Sequence, residues 1–213
     1  MKNWIKCIVY LLGFWVFPIC AWGQDIPKRT ALMIHHDVSL YPDSSNNVSA
    51  LSSMLAYLDF SVVVLSNPTA FEMNKAFEEF AHQSSELSLI YYSGPGYGEK
   101  GINYVYGSGD EWVSTASIFE TKPKGNRIIL FDAQRMIQEE GQSGWVNPSK
   151  IPENTLLSLG TAPTMTYTHV PQYITPFVEE LSISFPRMGY SVQEVLKKVH
   201  RRIKKRTKNG QIP

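Results

Sequence analysis

LIYYSGPGYG, residues 89–98, is the stretch on which the fold turns. Leu89 to Tyr92 ends a run of apolar residues that begins at Leu87, and such a run reads as a strand buried on both faces. Ser93-Gly94-Pro95-Gly96 follows, and reads as a loop shaped to hold a side chain at the carboxyl end of that strand. The residue at its centre is Pro95, whose side chain neither gives nor takes a proton.

The same pattern recurs on both sides. Arg29–His35 (RTALMIH), Phe60–Leu65 (FSVVVL), Arg127–Phe131 (RIILF) and Thr155–Leu159 (TLLSL) read as further strands. Ile102–Tyr106 reads as a short hairpin arm. Helical spacing appears between the strands. Residues 46–58 place Val48, Leu51, Met54, Leu55 and Leu58 on one side. Thr69 with Glu72, and Ser191 with Glu194, are capping boxes that open two more helices. Phe71, Met73, Ala76, Phe77 and Phe80 form the expected packing face of the first, and Val192, Val195, Leu196, Val199 and Ile203 that of the second. Strands alternating with helices predict one α/β domain over residues 28–213. It is a three-layer sandwich, with a mainly parallel sheet of about five to six strands and helices on both faces. Ligands of such sheets collect beyond the carboxyl ends of the strands. There the sequence offers His35-His36-Asp37, Ser93-Gly94-Pro95-Gly96 and Asp132-Ala133-Gln134.

The first 23 residues read as a signal peptide. Lys2 and Lys6 precede an apolar stretch from Ile8 to Ile19, and Ala21-Trp22-Gly23 offers small residues for cleavage. The stretch is shorter than a spanning helix needs. The expected location is therefore secreted or periplasmic, with no membrane span after cleavage. Cleavage would remove Cys7 and Cys20, the only cysteines, and with them any disulfide, thiolate metal site or cysteine nucleophile. No cofactor and no metal are expected. Charge is uneven. Lys197 to Lys208 holds Lys197, Lys198, Arg201, Arg202, Lys204, Lys205, Arg206 and Lys208, whereas the rest of the mature chain is acidic. This basic face reads as a solvated one rather than a surface for anionic lipid or an acidic partner, and no nucleic-acid partner is expected of an exported protein.

The quoted blocks resemble the caspase-like peptidases, especially the metacaspase-type members of the caspase–gingipain superfamily. The family signature is an apolar strand ending in Ser-Gly-His-Gly and a second ending in Asp-Ala-Cys-Arg. Leu89–Gly96 is similar to the first except at Pro95, and Ile128–Arg135 to the second except at Gln134. Weaker blocks fall in the same order: Arg29–Ile34, Leu58–Val62, Ile102–Tyr104, Thr155–Pro163 and Gly210–Pro213. The resemblance implies that Pro95 and Gln134 occupy the positions of the catalytic histidine and cysteine, so neither half of the dyad is intact. It also implies a strand and substrate-wall loop after Gly-Gln-x-Pro. The chain stops at Pro213, so that wall is missing or the chain is a fragment.

The expected function is an inactive pseudo-peptidase that binds a peptide segment or a protein partner, an active relative included. The alternatives are a hydrolase using non-standard groups and a structural domain of a secreted assembly. Candidate binding residues are Asp132, Ser93, Gly94, Gly96, His35 and His36. Asp132 is read first as a helix cap, and second as a remnant of a pocket for a basic side chain, which the resemblance implies. His35 and His36 point to opposite faces of an extended strand and cannot easily share a metal, so they read as satisfied strand-end histidines. His82, His169 and His200 read as structural or solvent-facing. Ser93 lacks a base as a rescue nucleophile, and Asn47-Val48-Ser49 is a glycosylation sequon only in a glycosylating source.

Overall fold

The computed structural model describes residues 28–37, 44–135, 145–162, 174–187, 189–209, 211 and 213, with the backbone alone for 133–135. The expected signal peptide, both cysteines and His169 lie outside these residues.

Five strands form the parallel body of the sheet. They are β1 (Arg29–His35), β2 (Ser61–Ser66), β3 (Leu87–Glu99), β6 (Asn126–Arg135) and β7 (Thr155–Leu159). Their order across the sheet is β2-β1-β3-β6-β7. An antiparallel hairpin, β4 (Ile102–Gly107) and β5 (Glu111–Ser114), attaches to residues 96–99 of β3 and brings the described sheet to seven strands. The expected count of about five to six fits the parallel body; the hairpin's second arm adds the rest.

Helices cover both faces. On one, α1 (Ser44–Tyr57), α4 (Pro176–Ser184) and α5 (Val192–Arg206) pack over Ala31, Met33, Leu89, Tyr91, Ile128 and Leu130. On the other, α2 (Ala70–His82) and the short α3 (Ser117–Glu120) pack over Leu32, Ile34, Ile90, Tyr92, Ile129 and Phe131. The residues alternate between the two cores because successive side chains of a strand point to opposite faces. Both capping boxes form as the sequence predicts, Thr69 on α2 and Ser191 on α5.

Strand β2 forms as expected and is the sheet's edge, with Val63 and Val64 exposed. Two expectations need correction. Phe71 does not join the packing face of α2; it is 77% exposed, while Met73, Phe77 and Phe80 are buried. At the second residue of the helix, Phe71 lies on the side turned from the sheet. The second correction is the more instructive, because Ser93-Gly94-Pro95-Gly96 is not a loop. Strand β3 runs through it unbroken to Glu99, paired with β6 as far as Gly96.

A proline inside a strand requires that its missing N–H face no ladder partner. That condition holds at Pro95. The Ser93 carbonyl accepts the His36 N–H on the β1 side, and two residues on Pro95 presents its backbone nitrogen and carbonyl to that same side. There β1 has ended, because its last pair is His35 with Ser93, and β4 begins pairing only at Gly96. The gap is bridged by Tyr92. Its hydroxyl donates to the Pro95 carbonyl at 2.7 Å and accepts the Tyr106 N–H at 3.1 Å. Gly94 must be glycine for this to happen, because a Cβ there would stand 2.7 Å from that hydroxyl.

Candidate functional site

The three polar strand ends named from the sequence do come together at the carboxyl edge of the sheet. His35 pairs with Ser93, Ser93 with Asp132, and Pro95 with Gln134. The two positions that the resemblance assigns to the dyad thus face each other across adjacent parallel strands.

Beneath them runs a buried polar chain that joins four elements. Asn47 of α1 donates from Nδ2 to Ser93 Oγ at 3.2 Å, and its Oδ1 accepts the Thr175 N–H at 2.8 Å. Thr175 Oγ1 donates to Asp132 Oδ2 at 2.5 Å, and the Tyr91 hydroxyl donates to the same oxygen at 3.1 Å. All five residues are buried. Burial first, and the Asp132 charge second, push the Tyr91 hydroxyl up, so it stays a donor. Asp132 reaches the cap of α4 through Thr175, whose side chain in turn accepts the Val178 N–H. These bonds tie Asp132 to α4 through a second side chain rather than as a direct cap. Asn47, the asparagine of the sequon, is 2% exposed and used on both ends of its amide.

On the opposite face, Trp145 is fully buried and stacks on Phe131 with centroids 4.8 Å apart. Its ring lies so close to Gly96 that a Cβ there would stand 3.0 Å away. Asn103 of β4 fixes this segment, bonding both the N–H and the carbonyl of Val146 at 2.8 Å. Asn103 carries no periodic signal, since its partner Val146 lies 43 residues away.

The two histidines differ. His35 is held at one ring nitrogen: Nε2 lies 2.9 Å from Ser66 Oγ, while Nδ1 lies 3.3 Å from Asp37 Oδ2 without hydrogen-bond geometry. His36 has no such anchor at Nε2. It is 1% exposed, its Nε2 has no partner among the described residues, and it packs against Tyr106 and Tyr92. Burial, then the neighbouring His35, push it down to about 4. Among the described residues no group of three His, Cys, Asp or Glu side chains could hold a metal ion.

Two serine–histidine contacts escaped the sequence reading. Ser158 Oγ and His200 Nε2 are 2.8 Å apart, but Ser158 is 3% exposed beneath α5, where no substrate reaches it. Ser66 is exposed, and with His35 and Asp37 it forms a serine–histidine–aspartate series at the strand ends. The second Asp37 oxygen is held by Ser44 Oγ at 2.6 Å and the Ser45 N–H at 3.1 Å. Two backbone amides beside the series are not free to serve as oxyanion donors, since the Asn67 N–H bonds the His35 carbonyl and the Asp37 N–H bonds Asn67 Oδ1. No motif spacing could have revealed either contact, because each joins residues more than 30 apart in sequence.

No helix among the described residues is long and apolar enough to cross a membrane. A search of curated proteins returned no match. The family model described as the caspase domain matches residues 28–213. A five-stranded parallel body, a hairpin on its central strand and polar strand ends gathered at one edge are the frame over which that match extends, and the chain belongs to the caspase-domain family.

Proposed function

We propose that this chain is an exported caspase-domain protein that has lost its peptidase chemistry and acts by holding a peptide segment or a partner protein. One observation carries the reading: Pro95 stands opposite Gln134, where the family resemblance places a histidine and a cysteine. A thiolate peptidase needs an ionisable sulfur with a base or cation beside it. Proline and glutamine supply neither. Ser93 is no substitute, because its hydroxyl is buried and its partner is the Asn47 amide rather than a base. Export rests on Lys2, Lys6, the apolar stretch from Ile8 to Ile19 and the small residues before Gln24.

A second reading, hydrolysis by non-standard groups, is favoured by Ser66, His35 and Asp37. Burial lowers the His35 pKa and Asp37 partly opposes this, so the imidazole is neutral at pH 7 and able to take a proton. The engagement of the Asn67 and Asp37 amides argues against it, since one oxyanion donor is commonly worth about 10²–10³ in rate.

The test is hydrolysis of short peptides bearing Lys, Arg or Asp before the scissile bond. Three proteins are compared: the unaltered chain from Gln24 onward, Pro95→His with Gln134→Cys, and Ser66→Ala. Silence of the unaltered protein is expected, and cleavage by the double variant would show that a substrate groove persists. Activity of the unaltered protein that vanishes in Ser66→Ala would establish the second reading in its place.

A further inference from the structure

The far edge of the domain holds a cleft that the degenerate dyad does not explain. It lies where α4 ends and α5 begins, at the end of α4 remote from Thr175. Ser184, Arg187, Tyr190, Lys197, Lys198 and Arg201 line a volume of about 330 Å³.

The charge there is unmatched. Carboxylates of α4 take two of the eight cations in residues 197–208: Glu180 pairs with Arg202 at 3.2 Å and Glu179 with Arg206 at 2.7 Å. Arg187, Lys197, Lys198 and Arg201 form no close ion pair among the described residues, although the Lys197 charge acts on Glu194. Glu194 also borders the cleft, but its Oε2 is engaged by the Ser191 N–H and hydroxyl, each at 2.8 Å. Four cations against one committed carboxylate leave a strong excess of positive charge in a concave site.

A second observation points the same way. Ser184 is 1% exposed, and its hydroxyl has no partner among the described residues. A buried hydroxyl without a partner is costly, and a ligand oxygen would relieve that cost. Tyr190, 57% exposed, stands at the mouth with Lys198 Nζ 5.4 Å from its ring centre.

We propose that this cleft binds a phosphate monoester group, carried by a soluble ligand or by a lipid headgroup. A dianion with three acceptor oxygens matches several converging donors, as a single carboxylate does not. Arg187 and Arg201 supply planar forks suited to bidentate contact, Lys197 and Lys198 compact charges, and Ser184 a neutral donor. The site is remote from the dyad positions and independent of whether the chain cuts peptides.

Two probes test the proposal at low salt. Inorganic phosphate is titrated into the protein and followed by amide NMR, and cosedimentation is measured with phosphatidylcholine vesicles with and without phosphatidic acid. Each uses the unaltered protein, Lys197→Gln with Arg201→Gln, and Lys204→Gln with Lys205→Gln. The last pair removes the same charge from the same helix outside the cleft. The cleft pair is expected to lose affinity by about tenfold or more, and the control pair by less than about threefold. Binding of phosphate assigns a soluble ligand; binding only of the phosphatidic acid vesicles assigns a headgroup. Absence of saturable binding with both probes, or equal losses in the two pairs, would overturn the proposal.

Discussion

Acid should destabilise this domain through His36. His36 is buried against Tyr92 and Tyr106, with Nε2 unpartnered, and its pKa falls from 6.5 to about 4. In the unfolded chain the ring recovers its ordinary value. Between pH 6.5 and 4 the unfolded state therefore binds a proton that the folded state refuses. Stability rises with pH wherever the unfolded state holds more protons. The penalty is absent above about pH 6.5, grows as pH falls, and is complete below pH 4. The fall from 6.5 to about 4 corresponds to about 3 kcal/mol, a large share of the roughly 5–15 kcal/mol that holds a domain together.

His35 and His200 are also lowered by burial and act in the same direction, so the wild-type curve alone does not isolate His36. The variant His36→Phe does. It keeps an aromatic ring between the two tyrosines and removes the titration. Urea unfolding at several pH values from 7 to 4 should show the wild type losing about 3 kcal/mol more than the variant over that range. The comparison is of slopes, so any repacking cost in the variant cancels. Parallel curves would refute the reasoning and show that His36 is protonated in the folded state through a partner or a solvent path.

Three substitutions test the packing of the sheet. Gly125→Ala, just before β6, drives a Cβ into the carbonyl oxygens of Ser85 and Glu86; neither can rotate away, so a loss of about 1–3 kcal/mol is expected in urea unfolding. Trp145→Ala removes a fully buried ring stacked on Phe131 and should cost about 3–5 kcal/mol, read as a drop in Tm. Asp132→Asn weakens an oxygen that accepts from Tyr91 and Thr175. About 1.5–3 kcal/mol is expected, and an unchanged denaturation midpoint would remove Asp132 from its structural role.

What the sequence made legible was whatever depends on near neighbours. The apolar runs of β1, β3 and β6 announced buried strands, and Thr69 with Glu72 and Ser191 with Glu194 announced helix starts, because each signal lies within one turn or one strand. The path of β3 through Pro95 was not legible. Proline reads as a break, and only the end of β1 at His35 shows why it is tolerated. Nor was the use of Asn47: its partner Thr175 lies 128 residues along the chain, and no local pattern encodes that distance. The exposure of β2 follows from its place at the sheet edge, a property of strand order that an apolar run cannot carry. The Ser66–His35–Asp37 series was hidden for the same reason, since β1 and β2 meet only once the sheet forms.

On the reading that the dyad is lost, the polar chain from Ser93 through Asn47, Thr175 and Asp132 to Tyr91 accounts for how the domain keeps its shape. Its members come from α1, β3, α4 and β6, and each hydroxyl, amide or carboxylate in it meets a partner inside the fold. Satisfied buried networks of this kind hold elements in one arrangement, whereas half-satisfied ones are costly. None of its bonds passes through the side chain of Pro95. The same holds for the Tyr92 hydroxyl, which joins the Pro95 carbonyl to β4 and would serve any residue at that position. The edge of the sheet is thus held by residues around the dyad positions rather than by Pro95 itself. On the reading proposed above, the chemistry could be lost at those positions while the frame that presents a peptide groove stayed intact, and restoring two side chains is a direct test of whether it did.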